Sequence, residues 1–179
     1  MELLTPTRPG LSRLIDGIRP ALRAGDPHLV ATAVAGALRD SSPGIEILTA
    51  DERLGSDAGI GRVVLHTEEL FSIQAVIWRP GQVTPIHDHI AWCAFAVLQG
   101  VEEETLYRDD GTHLTMLGQS VNGTGEVSGF APPGDIHQVR NPGNDTAITL
   151  HVYGADLGGG RSSVHRTYDL PIHPRPDRT

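Results

Sequence analysis

Gly81-Gln82-Val83-Thr84-Pro85-Ile86-His87-Asp88-His89, answered further on by Pro132-Pro133-Gly134-Asp135-Ile136-His137, decides how this chain is read. Successive side chains of a strand point to opposite faces, so His87 and His89 share one face and Asp88 takes the other. Proline and glycine ahead of each segment mark short strands entered from turns. Two imidazoles one residue apart, with His137 as a distant third, suit a metal held by ring nitrogens.

Outward from these motifs, segments 62–66, 71–78, 94–98, 103–107, 114–117 and 147–153 are rich in β-branched and aromatic residues and are separated by glycine-rich turns. Many short strands with no helix between them predict a sandwich or jelly roll. The first fifty or so residues differ in character. Leu11, Leu14, Ile15, Ile18 and Leu22 recur at helical spacing, with Pro20 expected to kink or break the helix. Asp26-Pro27 then reads as an N-cap with proline at the first helical position. Leu29, Val30, Ala33, Val34, Ala37 and Leu38 follow as one apolar stripe. The division expected is a helical extension over 1–55 and a β domain over 56–179, ending in an irregular strap from 171 to 179.

Composition narrows the function. The chain has 179 residues, 22 acidic side chains, 14 arginines and no lysine, for a net charge of -8. No basic run follows a phosphate backbone, so nucleic acid is not an expected partner. No apolar run approaches the ~20 residues of a membrane span, and the N-terminus lacks a basic region followed by an apolar core; a cytoplasmic location is expected. Cys93 is the sole cysteine, so no intrachain disulfide forms.

The arrangement resembles the cupins. Gly81, five residues, His87-x-His89 and a strand-closing Gly100 are similar to the first cupin motif, and Pro132-x-Gly134-x-x-His137-x-x-x-Asn141 to the second. The fold this implies is mainly β, a cupin-type jelly-roll barrel with a short N-terminal helical extension. Cupins usually carry a glutamate ligand three or four residues after the second histidine, and here that register holds Cys93. Cysteine at that place, with Leu98-Gln-Gly100 and an acidic strand behind it, resembles the cysteine dioxygenase family of thiol dioxygenases over roughly 62–153. The family's Ser-x-His-x-Tyr segment reads Thr149-Leu150-His151-Val152-Tyr153, which keeps the hydroxyl.

The resemblance implies ferrous iron, Fe(2+), on His87, His89 and His137, with a small thiol and O2 as substrates and a sulfinic acid as product. L-cysteine is the first expectation for the thiol. Alternatives are 3-mercaptopropionate or a bulkier thiol, a non-catalytic metal-binding or sensing cupin, and a zinc- or manganese-dependent isomerase, against which the missing glutamate argues. Physical chemistry agrees with the first reading. Three neutral imidazoles leave a divalent metal its full charge and about three open positions, which an anionic thiolate and dioxygen can use. The sulfinate is a step on the ordinary thiol oxidation ladder.

Alternation aims Thr149, His151 and Tyr153 at one face, where Thr149 can orient His151 and His151 the phenol of Tyr153. In the family the cysteine matching Cys93 can form a thioether with the tyrosine matching Tyr153; a small buried hydrophobe is the alternative role for Cys93. Arg62 stands about where cysteine-selective members place an arginine for the substrate carboxylate, a bidentate match. Members preferring 3-mercaptopropionate use an arginine beyond the tyrosine, for which Arg161 is the candidate. His28, His66, His113, His165 and His173 are expected at the surface or in hydrogen bonds, Trp92 as a pocket wall or core aromatic, and Tyr107 and Tyr168 in packing. Glu102-Glu103-Glu104 reads as an exposed edge that discourages strand pairing.

Overall fold

The computed structural model describes residues 6–174. The remainder of the N-terminal leader reading, at 1–5, and the end of the strap, at 175–179, lie outside the described residues. Two helices come first, α1 (Leu11–Ala21) and α2 (Pro27–Ser41), joined by a 3-10 turn at Leu22–Ala24. The Asp26 carboxylate accepts the backbone N–H groups of His28 at 2.9 Å and Leu29 at 3.2 Å, and Pro27 occupies the first turn, where no N–H is needed. Pro20 does not break α1 before its time; it stands in the last turn, where few backbone bonds remain to lose. The stripe of α2 is rotated from the expected one. Val30, Ala31, Val34, Ala35 and Leu38 are buried, while Leu29 is 60% exposed, because the rows 30/34/38 and 31/35 already fill the contact with the sheet.

Eleven strands follow: β1 (Gly61–Thr67), β2 (Ser72–Trp78), β3 (Ile86–His89), β4 (Cys93–Gln99), β5 (Val101–Asp109), β6 (Leu114–Gly123), β7 (Val127–Phe130), β8 (His137–Arg140), β9 (Ala147–Tyr153), β10 (Val164–Tyr168) and β11 (Ile172–His173). One sheet runs β1-β2-β9-β4-β7 and the other β10-β3-β8-β5-β6-β11, antiparallel except where β11 joins β6. The two sheets curl around a shared interior, giving the mainly β jelly roll of the cupin type. Part of the expected irregular strap is therefore a strand, with Ile172 and His173 paired to Leu114 and Thr115. Among the described residues no helix is long and apolar enough to cross a membrane.

The helices cover the outer face of the five-stranded sheet. Leu14, Ile18, Val34 and Leu38 join Phe71, Ile73, Ile77, Ile148, Leu150 and Val152 in one core. Burying each such side chain contributes roughly 1.5–3 kcal/mol. Covered by helices outside and by the barrel interior inside, β2 and β9 are buried along their whole length. A Cβ on Gly129 of β7 would lie 2.5 Å from the Ala31 carbonyl oxygen, so only glycine lets α2 lie this close.

The acidic run is not an exposed edge. β5 lies between β8 and β6, and Glu102, Glu103 and Glu104 are all buried. Glu103 pairs with Arg140 of β8 on the outer face, while Glu102 and Glu104, two residues apart, turn inward. β7, β8, β10 and β11 were beyond the sequence reading; they are short, and β10 is largely polar.

Candidate metal centre

His87 on β3 lies directly opposite His137 on β8, and His89 follows on the same face as His87. The three ligand atoms these residues offer lie within 4.8 Å of one another. Each ring is held from behind through Nδ1–H. His87 donates to the Pro85 carbonyl at 3.0 Å, His89 to Asp135 at 3.1 Å and His137 to Glu104 at 2.6 Å. Asp135 also accepts the backbone N–H of His89 at 3.0 Å, which fixes the strand as well as the ring. Those bonds settle the tautomers, leaving every Nε2 with a bare lone pair turned inward.

The Nε2 atoms of His87 and His137 stand 3.3 Å apart. Two lone pairs facing each other at that distance repel unless a cation lies between them. Burial, reinforced by the neighbouring His137, pushes His87 down to about 3, and burial lowers His89 as well. Neutral imidazoles held this way suit a divalent metal rather than a proton, so the residues fit the group that the motif implies.

The opposite wall is β9 and its neighbours. Thr149 Oγ1 lies 2.8 Å from His151 Nε2, and His151 Nδ1 lies 3.3 Å from the Tyr153 hydroxyl. The Trp78 indole N–H donates to Thr149 Oγ1 at 2.9 Å. Burial drives His151 down to about 3, so this ring is neutral, and burial pushes the Tyr153 phenol up. Cys93 is paired in register with Tyr153, and its sulfur lies 3.8 Å from His151 Nδ1. Burial raises its thiol well above the ordinary value, which keeps the sulfur protonated and unreactive toward metal.

Between the walls lies a cavity of about 470 Å3, its open mouth included, large enough for a small organic molecule. Arg62 lines it from β1 and makes no ion pair or hydrogen bond with any described residue. Arg161 does not line it. Its guanidinium is exposed, bonded to Asp156 at 2.5 Å and to the Gly158 carbonyl at 2.9 Å. Thus the structure brings together His87, His89, His137, Thr149, His151, Tyr153, Cys93 and Arg62, and leaves Arg161 apart.

Sequence reasoning missed Glu102, Glu104, Asp135, Trp78, Phe130 and Ser163. Glu102, Trp78, Phe130 and Ser163 line the cavity, and Ser163 bonds the Tyr153 hydroxyl. The signal for the carboxylates was present: Glu102 and Glu104 alternate on the strand leaving Gly100, and Asp135 stands two residues before His137. Alternation tells which residues share a face, but only the sheet order tells which face is inner.

A jelly-roll barrel with three inward histidines defines a metal cupin. The family model described as cysteine dioxygenase type I matches residues 61–161, more than half of the chain. The chain belongs to that family, and thiol dioxygenase activity in general comes with membership. Among solved structures, a protein with a double-stranded β-helix domain from Klebsiella pneumoniae is 20% identical, covering 66% of this chain and 96% of its own, with a TM-score of 0.49. A cupin superfamily protein from Desulfitobacterium hafniense is 15% identical, covering 62% of this chain and 85% of its own, at 0.45. Likeness at this level concerns overall shape, not chemistry.

Proposed function

We propose that this protein is a non-haem iron dioxygenase that converts a small thiol carrying a carboxylate, L-cysteine first, to its sulfinic acid. The observation that carries the reading is the convergence of three bare Nε2 atoms across a small cavity from an unpaired arginine and a buried phenol. His87, His89 and His137 would hold the iron. When bound there, a divalent iron supplies open positions and uncompensated charge, which acidify a thiol and accept dioxygen. Both atoms of one dioxygen end on sulfur, so the reaction needs no outside reductant.

The chain's own residues orient the partners. Arg62 is free to bind a carboxylate through two parallel hydrogen bonds at the mouth. His151, neutral and anchored by Thr149, holds the Tyr153 hydroxyl toward the cavity, where Ser163 gives a second contact. Asp135 and Glu104 keep the ligand rings from turning. With Arg161 engaged by Asp156 outside the cavity, Arg62 supports cysteine over a thiol recognised from the far side.

The test is anaerobic reconstitution of purified protein with ferrous iron, then oxygen uptake with cysteine, 3-mercaptopropionate and cysteamine. Cysteine should be consumed fastest and cysteamine, which has no carboxylate, slowest. Absence of thiol-dependent uptake with all three would sink the reading.

A further inference from the structure

Glu102 is the buried ionisable group in this cavity that the account so far leaves without a task. It is 2% exposed, lines the cavity beside Trp78 and His151, and its Oε2 has no hydrogen-bond partner among the described residues. Its carboxyl is hydrogen-bonded to Thr149. An unpaired buried carboxyl is costly, and here one end of it meets the end of the Tyr153–His151–Thr149 chain.

Counting donors and acceptors gives its consequence. The Trp78 indole N–H can only donate, so it takes one lone pair of Thr149 Oγ1. One proton and one lone pair remain for two partners, Glu102 and His151 Nε2. These two must therefore play opposite roles. A Glu102 carboxylate only accepts, so Thr149 donates to it and His151 Nε2–H donates to Thr149. His151 Nδ1 is then bare and accepts the proton of Tyr153. A Glu102 carboxylic acid that donates to Thr149 reverses every link. Thr149 then donates to His151 Nε2, His151 Nδ1–H donates to the phenol oxygen, and the Tyr153 proton is released toward the cavity.

We propose that Glu102 is the far end of this hydrogen-bond chain and sets which nitrogen of His151 carries the proton, acting as a positioning residue for the Tyr153 hydroxyl. No net proton is gained or lost along the chain beyond the one on Glu102; each intervening group hands one on and receives one. Burial, with the charge of Glu104 adding to it, raises Glu102 to about 8, so both forms are within reach near neutral pH. The charged or titratable groups around it are Glu104 on its own strand, Cys93 on β4, Tyr153 and His151 on β9, His87 and His137 from β3 and β8, and Arg62 on β1.

The significance for catalysis rests on the dioxygenase reading, but the chain itself is tested without iron or substrate. Histidine-labelled, metal-free protein is followed by nitrogen NMR, which distinguishes Nδ1–H from Nε2–H, across the titration of Glu102. In the parent protein His151 should change from the Nδ1–H to the Nε2–H form as pH rises. Glu102→Leu leaves Thr149 no acceptor but His151, so the ring should stay Nδ1–H at every pH. Glu102→Gln, which keeps size and hydrogen bonding, should hold one form throughout. A tautomer in the parent that does not move with pH, or that moves equally in Glu102→Gln, overturns the proposal. Failure of the parent to oxidise any thiol would instead overturn the functional reading and leave this result standing.

Discussion

The two inner walls of the barrel are built on opposite principles. On the six-stranded sheet every ligand ring is fixed from behind by its own acceptor, Pro85, Asp135 or Glu104. On the five-stranded sheet Arg62 has no partner, Glu102 facing that wall keeps an oxygen free, and Thr149 mediates among three neighbours. The first wall settles geometry, while the second holds protons and charges that can be reassigned. A site that must grip a cation and also meet a changing substrate needs both, and it keeps them on separate sheets.

Removing a ligand breaks the rigid wall outright. His137→Ala should lose iron on metal analysis and lose thiol oxidation entirely, with thermal melting showing the barrel still folded. Breaking the adaptable wall is milder and selective. Arg62→Ala should retain iron, yet kcat/KM for cysteine should fall roughly 10- to 100-fold, the worth of a charged hydrogen-bonded pair, while cysteamine turnover is unchanged. Equal loss for both thiols would refute the role given to Arg62. Loosening the backing of the rigid wall tests it more finely. Asp135→Asn, with an amide that can present its N–H to His89, should weaken iron binding about 10- to 100-fold in a competition titration.

The smallest effect concerns stability. Glu102 is raised to about 8 in the folded protein from an ordinary 4.5, so between these values the folded state holds a proton that the unfolded chain has released. Stability is full below the lower value and falls as pH rises through the window. Glu102→Gln should remove that fall, gaining on the order of 2 kcal/mol over the parent at pH 8, read as a higher melting temperature for the metal-free protein. His87 and His151 act in the other direction. Both are lowered to about 3, so the metal-free parent should lose stability as pH falls from about 6.5 toward that value.

The contrast between walls also explains what was legible in the sequence. His87, His89 and His137 could be found because alternation and turn residues are local signals, and Thr149, His151 and Tyr153 followed from the same period. The helix cap at Asp26 was equally local. What escaped was anything set by the order of strands in a sheet. Glu102 and Glu104 share a face in sequence, but β5 is an inner strand only because β8 and β6 flank it. Arg161 lies near Tyr153 in sequence, yet the turn at Gly158–Gly160 carries it to Asp156. Leu29 was assigned inward because helical period alone does not fix where a stripe meets its sheet.

The central claim is oxygen insertion into a thiol at this three-histidine centre. Iron-loaded protein given cysteine and isotopically labelled dioxygen tests it most directly, with the product read by mass spectrometry. The account predicts cysteine sulfinic acid carrying both labelled oxygens, and none from the His137→Ala variant. Unchanged cysteine, cystine as the sole product, or sulfinate labelled at one oxygen would contradict it.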